Sequence, residues 1–166
     1  MRAIGIVLAG GNSKRMRELS SKRAVAAMPV AGSYRSIDFA LSNMTNSHIQ
    51  NVAVFTQYNS RSLNLHLSSS KWWDFGRKQG GLYVFTPSIT PENGDWYRGT
   101  ADALYQNLTF LKNSHEPYVV SPLVTASISL ITTRFWNTIL RRKQISLLSA
   151  RIWKREQMLP ALDALS

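Results

Sequence analysis

Apolar runs alternate with amphipathic segments along the first 120 residues of the chain. Residues 3–9 form a continuous apolar run that ends at two glycines, which is typical of a buried parallel strand leading into a turn. Residues 51–57 are short, apolar and rich in β-branched side chains, and they predict a second buried strand. The sequence PYVV at 117–120 predicts the beginning of a further strand.

The segments between these strands have helical periodicity. Ser36 is suited to cap a first helix, and residues 60–68 predict a second. Thr100 is suited to cap a helix over 100–113, while residues 28–35 predict a loop. One face of the last helix carries Leu104, Leu108 and Leu111. Strands that alternate with helices predict an α/β fold with a parallel sheet.

A long aromatic segment, residues 69–96, interrupts this alternation. It contains three tryptophans together with glycines and prolines, and the stretch GGLYVFTP within it predicts a strand. Connections of this length in compact domains are usually functional or disordered, and the tryptophans argue against disorder. We therefore expect a functional loop.

The composition favours one soluble domain. The chain has 166 residues, of which 44% are hydrophobic and 17% charged, and it has no cysteine. No apolar run approaches the roughly 20 residues that span a bilayer, and the N-terminal run lacks a signal-peptide cleavage pattern. These features predict no membrane association and a cytoplasmic location.

The net charge of +11 raises the alternative of a basic nucleic-acid-binding domain. The excess charge is uneven, because residues 120–166 carry seven basic and two acidic residues. The aromatic side chains that would stack on bases cluster in a different segment. The charge distribution therefore makes nucleic acid an unfavoured partner.

The stretch VLAGGNSKRM at 7–16 is a candidate phosphate-binding loop. Gly10 and Gly11 let the backbone approach a ligand closely, and Arg15, four residues later, supplies positive charge. The stretch matches neither the Walker A pattern nor the dinucleotide GxGxxG fingerprint. The alternative is an ordinary turn with exposed basic residues.

Other polar positions fall near the same end of the predicted sheet. Gln57 ends the second strand, and ligands of open α/β sheets bind beyond the carboxyl ends of strands. Gly99 and Thr100 open the helix that follows the aromatic segment, where backbone groups are available to a nucleotide. The alternatives are a solvated strand end at Gln57 and a simple helix cap at Thr100.

Seven segments within residues 3–120 together resemble glucose-1-phosphate adenylyltransferase, the ADP-glucose pyrophosphorylase family of bacterial glycogen synthesis. In chain order they are LAGGNSKRM, KRAVAAMP, YRSIDFALSNMTNSHI, VAVFTQYN, SLNLHL, WWDFGRKQGG and WYRGTADALYQN. Within the family the sequence is most similar to the GlgD-type subunit. The resemblance implies the N-terminal part of a doubly wound, mostly parallel, Rossmann-like nucleotidyltransferase sheet, truncated in this chain.

The resemblance also implies a reaction between ATP and glucose 1-phosphate that yields ADP-glucose and pyrophosphate, with Mg²⁺ offsetting the negative charge. It implies a triphosphate cradle in which Arg15 is the catalytic candidate, a nucleotide contact, and a loop that couples effector binding to the site. The implied residues are Gly10, Gly11 and Arg15 for the cradle, Gln57, Gly99 and Thr100 for the nucleotide, and Trp96 and Tyr97 for the loop.

Two departures from the family pattern bear on catalysis. Val25 stands where catalytic members carry a lysine that meets phosphate, and Ser13 stands where a glycine is expected. Both fit a regulatory or non-catalytic subunit that works in a hetero-oligomer with a catalytic GlgC-type subunit. In the alternative, an active enzyme, Lys22 or Arg23 replaces the missing lysine.

Residues 121–166 form a basic tail without family motifs. At this point the sequences of the family continue with SGD and then YKxDY, and the first aspartate is expected to bind Mg²⁺. Residues 120–155 of this chain contain neither Asp nor Glu. The metal ligands are therefore missing from this chain. An incomplete sheet predicts an exposed strand edge, poor stability and no activity.

We hypothesise that the reading frame is lost near residue 120, with a divergent tail as the alternative. Permitted codons for residues 120–155, displaced by one base, encode a sequence that contains SGD and YKLDY in family register. We expect the gene's nucleotide sequence around codon 120 to encode this second reading. A nucleotide sequence that does not encode it would rule the hypothesis out.

Overall fold

A computed structural model provides the fold. It describes residues 2–11, 14–30, 32–69, 72–75, 80–88, 94–122, 124, 146–147 and 150–163. The strands are β1 Ala3–Leu8, β2 Pro29–Val30, β3 Tyr34–Arg35, β4 Asn51–Phe55, β5 Gly81–Phe85, β6 Tyr118–Pro122, β7 Ser146–Leu147 and β8 Ala150–Lys154. The helices are α1 Ser36–Asn46, α2 Arg61–Ser68, α3 Thr100–Gln106, α4 Leu108–Asn113 and α5 Arg155–Asp163, with 3₁₀ turns at Lys14–Ser20 and Val25–Ala27.

One sheet organises the chain, with strand order β5-β4-β1-β6-β8-β7. The first four strands in this order are mutually parallel. In the central pair, Ile4 of β1 lies opposite Asn51 of β4, and Leu8 lies opposite Phe55. The strands predicted near residues 3–9, 51–57, 80–87 and 117–120 are present, and the mostly parallel α/β fold is confirmed.

Helices cover both faces of the sheet, as expected of a doubly wound fold. Alternate residues of β1 point to opposite faces, so that Val7 packs in one buried cluster while Ile4 and Ile6 pack in the other. The first cluster includes Leu41 of α1 and the second includes Leu111 of α4. Because β1 is buried on both sides, its sequence is a continuous apolar run.

The first helix begins one residue earlier than a Ser36 cap requires. Ser36 is itself the first helical residue, and Arg35 is the N-cap. The backbone N–H of Arg35 donates to the carboxylate of Asp38 at 2.8 Å. The same carboxylate lies 2.6 Å from Nε2 of His66 on α2, which ties the two helices together. The predicted cap at Ser36 is therefore wrong by one position.

The chain departs from the predicted elements at two further places. Residues 28–35 contain the short antiparallel pair β2 and β3, in which Val30 lies opposite Tyr34, and are not simply a loop. The helix predicted over 100–113 is two helices that meet at Asn107. Thr100 is the first residue of α3, and Gly99 is its N-cap.

The aromatic segment contributes to the core as well as to the surface. Trp73 and Phe75 are buried in the cluster beneath α1 and α2, and the backbone carbonyl of Trp73 accepts a hydrogen bond from the Thr45 hydroxyl at 2.8 Å. The predicted strand within the segment is β5. Parts of this predicted loop, residues 70–71, 76–79 and 89–93, lie outside the described residues.

The described part of the tail covers the edge of β6. Strand β8 pairs antiparallel with β6, with Ile152 opposite Val120, and α5 follows it directly. Met158 and Leu162, four residues apart on α5, are both buried in the cluster that contains Leu111. Strand β6 is therefore not an edge strand of the sheet, and the expectation of an exposed edge elsewhere stays a prediction. The positions of the missing SGD and YKxDY motifs fall mostly outside the described residues.

Among the described residues, no helix combines the length and the apolar character that crossing a bilayer requires.

The packing of α5 generates a stability prediction. We expect Leu162→Ala to lower the free energy of unfolding by about 2–4 kcal/mol, because it leaves a cavity in a buried cluster. Gln157→Ala on the exposed side of the same helix is the matched control and should change stability by less than about 0.5 kcal/mol. Urea unfolding of both variants measures the difference. Equal effects would show that α5 does not pack on the sheet.

Candidate functional site

A cavity of about 340 Å³ lies at the carboxyl ends of β1 and β4. Six of the residues that the sequence assigned to a phosphate cradle, a nucleotide contact or an effector loop line this one cavity, although they come from three separate parts of the chain. They are Gly10, Gly11, Gln57, Tyr97, Gly99 and Thr100. The remaining lining residues are Leu8, Phe55, Tyr58, Arg98 and Ala103. The position agrees with the rule that open α/β sheets bind ligands beyond their strand ends.

The backbone of Gly10 lies against the residue that follows β4. A Cβ atom at Gly10 would approach Cβ of Gln57 to 3.1 Å, closer than ordinary van der Waals contact. A Cβ at Gly11 would meet no atom within 4 Å. Gly10 therefore packs tightly against Gln57, while Gly11 leaves open space beside its backbone.

Gln57 joins the end of β4 to the segment that precedes α3. Its side chain is 9% exposed, and its Nε2 donates to the backbone carbonyl of Tyr97 at 3.3 Å. This hydrogen bond connects residues that are 40 positions apart. It holds the two walls of the cavity together, so Gln57 is more than a solvated strand end.

Tyr97 is a buried residue of the cavity wall. Its hydroxyl oxygen accepts a hydrogen bond from Nδ2 of Asn107 at 3.1 Å. Burial raises the pKa of Tyr97 above its usual 10.0; the Asn107 hydrogen bond opposes this shift, and the charge of Asp102 adds to it. Tyr97 is therefore neutral at physiological pH and retains its proton for hydrogen bonding.

A short network fixes the backbone between Tyr97 and α3. The N–H of Arg98 donates to the Asp102 carboxylate at 2.8 Å, and Gln106 donates to the same oxygen at 3.0 Å. The guanidinium of Arg98 reaches Asp95 at 3.3 Å in an exposed ion pair. Asp102 therefore orders the turn that carries Gly99 and Thr100 into the cavity wall.

Trp96 precedes Tyr97 and contacts one of the residues that line the cavity. Its ring stacks on Tyr58, with ring centroids 5.4 Å apart and the planes 20° from parallel. Tyr58 lines the cavity, and both rings are largely exposed. Through this stack, the segment predicted to couple an effector to the site touches the residue next to Gln57.

Arg15 is the predicted site residue that the structure does not place. Its backbone belongs to the 3₁₀ turn Lys14–Ser20, and its side chain lies outside the described residues.

The sequence did not predict three residues of the site, Tyr58, Arg98 and Asn107. Tyr58 follows Gln57 in the chain and Arg98 follows Tyr97, so their position next to predicted residues could have identified them. Asn107 had no such signal because its role follows from the break between α3 and α4.

The described residues contain no cluster of side chains that could by itself hold a metal ion. Mg²⁺ prefers oxygen ligands and is usually held by carboxylates. The cavity lining contains no Asp or Glu, and the described part of the chain has no group of three metal-ligating side chains. The Asp102 carboxylate is engaged by Arg98 and Gln106. No chemical step is therefore assigned to a metal held by this part of the chain.

A second cavity, of about 700 Å³, lies beside the 3₁₀ turns. Val25, the position where a lysine is expected, lines it together with Lys22 and Arg23. Lys22 and Arg23, either of which would replace the missing lysine, therefore share one cavity with Val25, which stands at the position of that lysine. Val25 does not line the cavity at the strand ends, within the residues that the structure describes.

With the fold and cavity established, comparison with known proteins identifies the family. The nucleotidyl transferase family model matches residues 4–144. The chain belongs to this nucleotidyl transferase family.

Curated relatives narrow the class. Glucose-1-phosphate adenylyltransferases of Clostridium kluyveri and Halalkalibacterium halodurans are 46% and 45% identical over 117 residues, which is 70% of this chain and 30% of each relative. The protein of that name from Thermosipho africanus is 44% identical over 117 residues, 70% of this chain and 28% of its own length. The resemblance to this family is confirmed. The chain spans about 30% of the length of these relatives.

Gly10 and Gly11 differ in the space beside their backbone, and we expect a methyl group to have different effects at the two positions. We expect Gly10→Ala to destabilise the chain by about 1–3 kcal/mol, because the new methyl group displaces Gln57. Gly11→Ala is the control, with an expected change within about 0.5 kcal/mol, since nothing lies within 4 Å of the added atom. Chemical denaturation reports both values. A Gly11 effect as large as that of Gly10 would contradict this account.

Proposed function

We propose that this chain carries the nucleotide-binding half of a glucose-1-phosphate adenylyltransferase site and takes part in glycogen synthesis. The reaction joins ATP and glucose 1-phosphate to give ADP-glucose and pyrophosphate. The sugar phosphate attacks the α-phosphorus of ATP, and pyrophosphate leaves. The observation that carries the proposal is the convergence of Gly10, Gly11, Gln57, Gly99 and Thr100 on one cavity at the strand ends.

The lining of this cavity suits the two ends of a nucleotide. Leu8, Phe55 and Ala103 provide an apolar wall against which a flat base can pack. Gly10 and Gly11 both line the cavity, and Gly11 exposes backbone beside open space, where an N–H group can approach phosphate oxygens. Arg15, close behind in the chain, supplies a cation for the triphosphate in this proposal.

The chain acts, in this proposal, as a GlgD-type regulatory or non-catalytic subunit beside a catalytic GlgC-type subunit. Val25 supplies no charge where the catalytic subunits use lysine, and the cavity lining supplies no carboxylate for Mg²⁺. Trp96 and Tyr97 form the loop that transmits an effector signal, because one stacks on Tyr58 and the other lines the cavity. The proposed loss of frame near residue 120 would remove the metal-binding motifs and leave this chain inactive.

One observation favours a second candidate, an active adenylyltransferase. Lys22 and Arg23 line the same cavity as Val25, so either cation is near the position where the lysine charge is missing. A cation two or three positions away in the chain nonetheless points in a different direction from the lysine. The rate of nucleotidyl transfer is sensitive to such a change in the position of a catalytic group. Formation of ADP-glucose by the chain alone would favour this second candidate.

Binding of ATP to the intact chain tests the proposal. We expect isothermal titration calorimetry to show ATP binding, and Gln57→Leu to weaken it about fivefold, the equivalent of one hydrogen bond of about 1 kcal/mol. Gln157→Leu on α5 is the matched control and should bind ATP unchanged. We also expect no ADP-glucose from the chain with ATP, glucose 1-phosphate and Mg²⁺. Binding of a single-stranded oligonucleotide without binding of ATP would support the nucleic-acid alternative and contradict the proposal.

A further inference from the structure

Asn59 lies in the turn between β4 and α2, two residues after Gln57. Its side-chain nitrogen donates to two backbone carbonyls, those of Ser20 and Ser21, at 3.1 Å each. These carbonyls lie where the 3₁₀ turn Lys14–Ser20 ends. Asn59 therefore binds a segment that comes 38 and 39 positions earlier in the chain.

The segment that follows β1 is attached at both of its ends to one short stretch of the chain. At its start, the N–H of Ala9 donates to the carbonyl of Phe55, the last residue of β4, at 2.8 Å. At its end, the side chain of Asn59 holds it. Residues 10–19 therefore lie between two attachments that are only four positions apart on the other segment.

The 3₁₀ turn is ordered around a strained residue. Arg17 has a φ of 43° and a ψ of −124°, a backbone conformation that residues with a side chain rarely adopt. The hydroxyl of Ser20 donates to the Arg17 carbonyl at 3.0 Å, and the hydroxyl of Ser21 donates to the Glu18 carbonyl at 2.6 Å. Strained backbone persists where the surrounding structure holds it. The two serines that hold this turn are the residues whose carbonyls Asn59 binds.

The conformation and the chemistry of Asn59 both suit this attachment. Its φ is 48°, in the left-handed region that asparagine adopts more readily than most residues. A backbone carbonyl oxygen only accepts hydrogen bonds, so the group that contacts both carbonyls is the NH₂ of the amide, which has one proton for each. The turn and the two hydrogen bonds can therefore be altered separately.

We propose that Asn59 is a positioning residue that holds the segment after Gly11 in place for the phosphate groups of a nucleotide in the cavity at the strand ends. The inference rests on the proposed function, since it requires ATP in this cavity. The segment begins with Gly10 and Gly11, which line the cavity, and the two residues before Asn59 line it as well. One side chain thus links the far end of the segment to the cavity wall.

The attachment should matter for phosphate groups and not for the base. A segment that is held in place before the ligand arrives costs less to order on binding. Asn59 holds this segment, whereas the base packs, in the proposed function, on the apolar wall of Leu8, Phe55 and Ala103. ATP should therefore depend on Asn59, and adenosine, which lacks phosphate, should not.

Two variants of Asn59 separate the hydrogen bonds from the turn. Asn59→Gly removes the amide and keeps a residue that adopts a positive φ easily. Asn59→Asp keeps the shape of the side chain, but an ionised carboxylate only accepts hydrogen bonds and cannot bind the two carbonyls. Circular dichroism checks that each variant retains its fold.

Each variant has a matched control outside the cavity lining. His48 also has a positive φ, of 58°, and precedes β4 at the end away from the cavity, so His48→Gly controls for the glycine. Asn46 is exposed on α1, so Asn46→Asp controls for the added negative charge, which by itself disfavours binding of an anion.

The first measurement is hydrogen–deuterium exchange followed by mass spectrometry, without ligand. We expect both Asn59 variants to raise the exchange rate of peptides covering residues 14–21 about 3- to 10-fold, because the turn loses two hydrogen bonds. Peptides covering β4 should exchange as in the unaltered chain, and so should residues 14–21 in both controls. An unchanged rate in residues 14–21, or an increase that extends to β4, would overturn the inference.

The second measurement is the affinity for ATP by calorimetry and for adenosine by competition with ATP. We expect both Asn59 variants to weaken ATP binding about 3- to 10-fold and to leave adenosine binding within about 1.5-fold. The controls should bind both ligands as the unaltered chain does. An unchanged affinity for ATP, or equal losses for ATP and adenosine, would overturn the inference alone. Failure of the unaltered chain to bind ATP would overturn the proposed function, and this inference with it.

Discussion

The parallel pairing of β1 with β4 is the constraint on which the cavity depends. Leu8 lies opposite Phe55, and the N–H of Ala9 donates to the carbonyl of Phe55 at 2.8 Å, so both strands end at the same level. A slip of one residue would exchange the two buried faces of a strand, so that its side chains no longer fit the clusters they pack in, and would separate Gly10 from Gln57. Burial on both faces of β1 prevents that slip. The placement of the cavity is therefore a consequence of core packing.

The cavity depends little on the tail. All its lining residues lie between Leu8 and Ala103, within the part of the chain where the sequence resembles the adenylyltransferases. The tail has a different effect, because β8 and α5 cover β6 and add Met158 and Leu162 to the core. Residues 8–103 therefore line the cavity, while the described part of the tail contributes to the sheet and to the core.

The sequence predicted the central strands and most of the cavity because both follow from local patterns. A continuous apolar run identifies a doubly buried strand, and the carboxyl ends of parallel strands meet at one edge. The break at Asn107 was not predictable, since the leucines at 104, 108 and 111 keep one helical face across it. The pairing of β8 with β6 was also missed, because antiparallel pairing between residues far apart leaves no local signal. Tertiary contacts determine both the break at Asn107 and the pairing of β8 with β6.

The stack of Trp96 on Tyr58 has an optical consequence. The exposed indole of Trp96 emits at longer wavelength than the buried indole of Trp73, and contact with the phenol of Tyr58 allows energy to pass from one ring to the other. Trp72 is exposed as well and adds to the emission at longer wavelength. An event that disturbs the stack of Trp96 on Tyr58 would therefore change only part of the tryptophan emission of this chain.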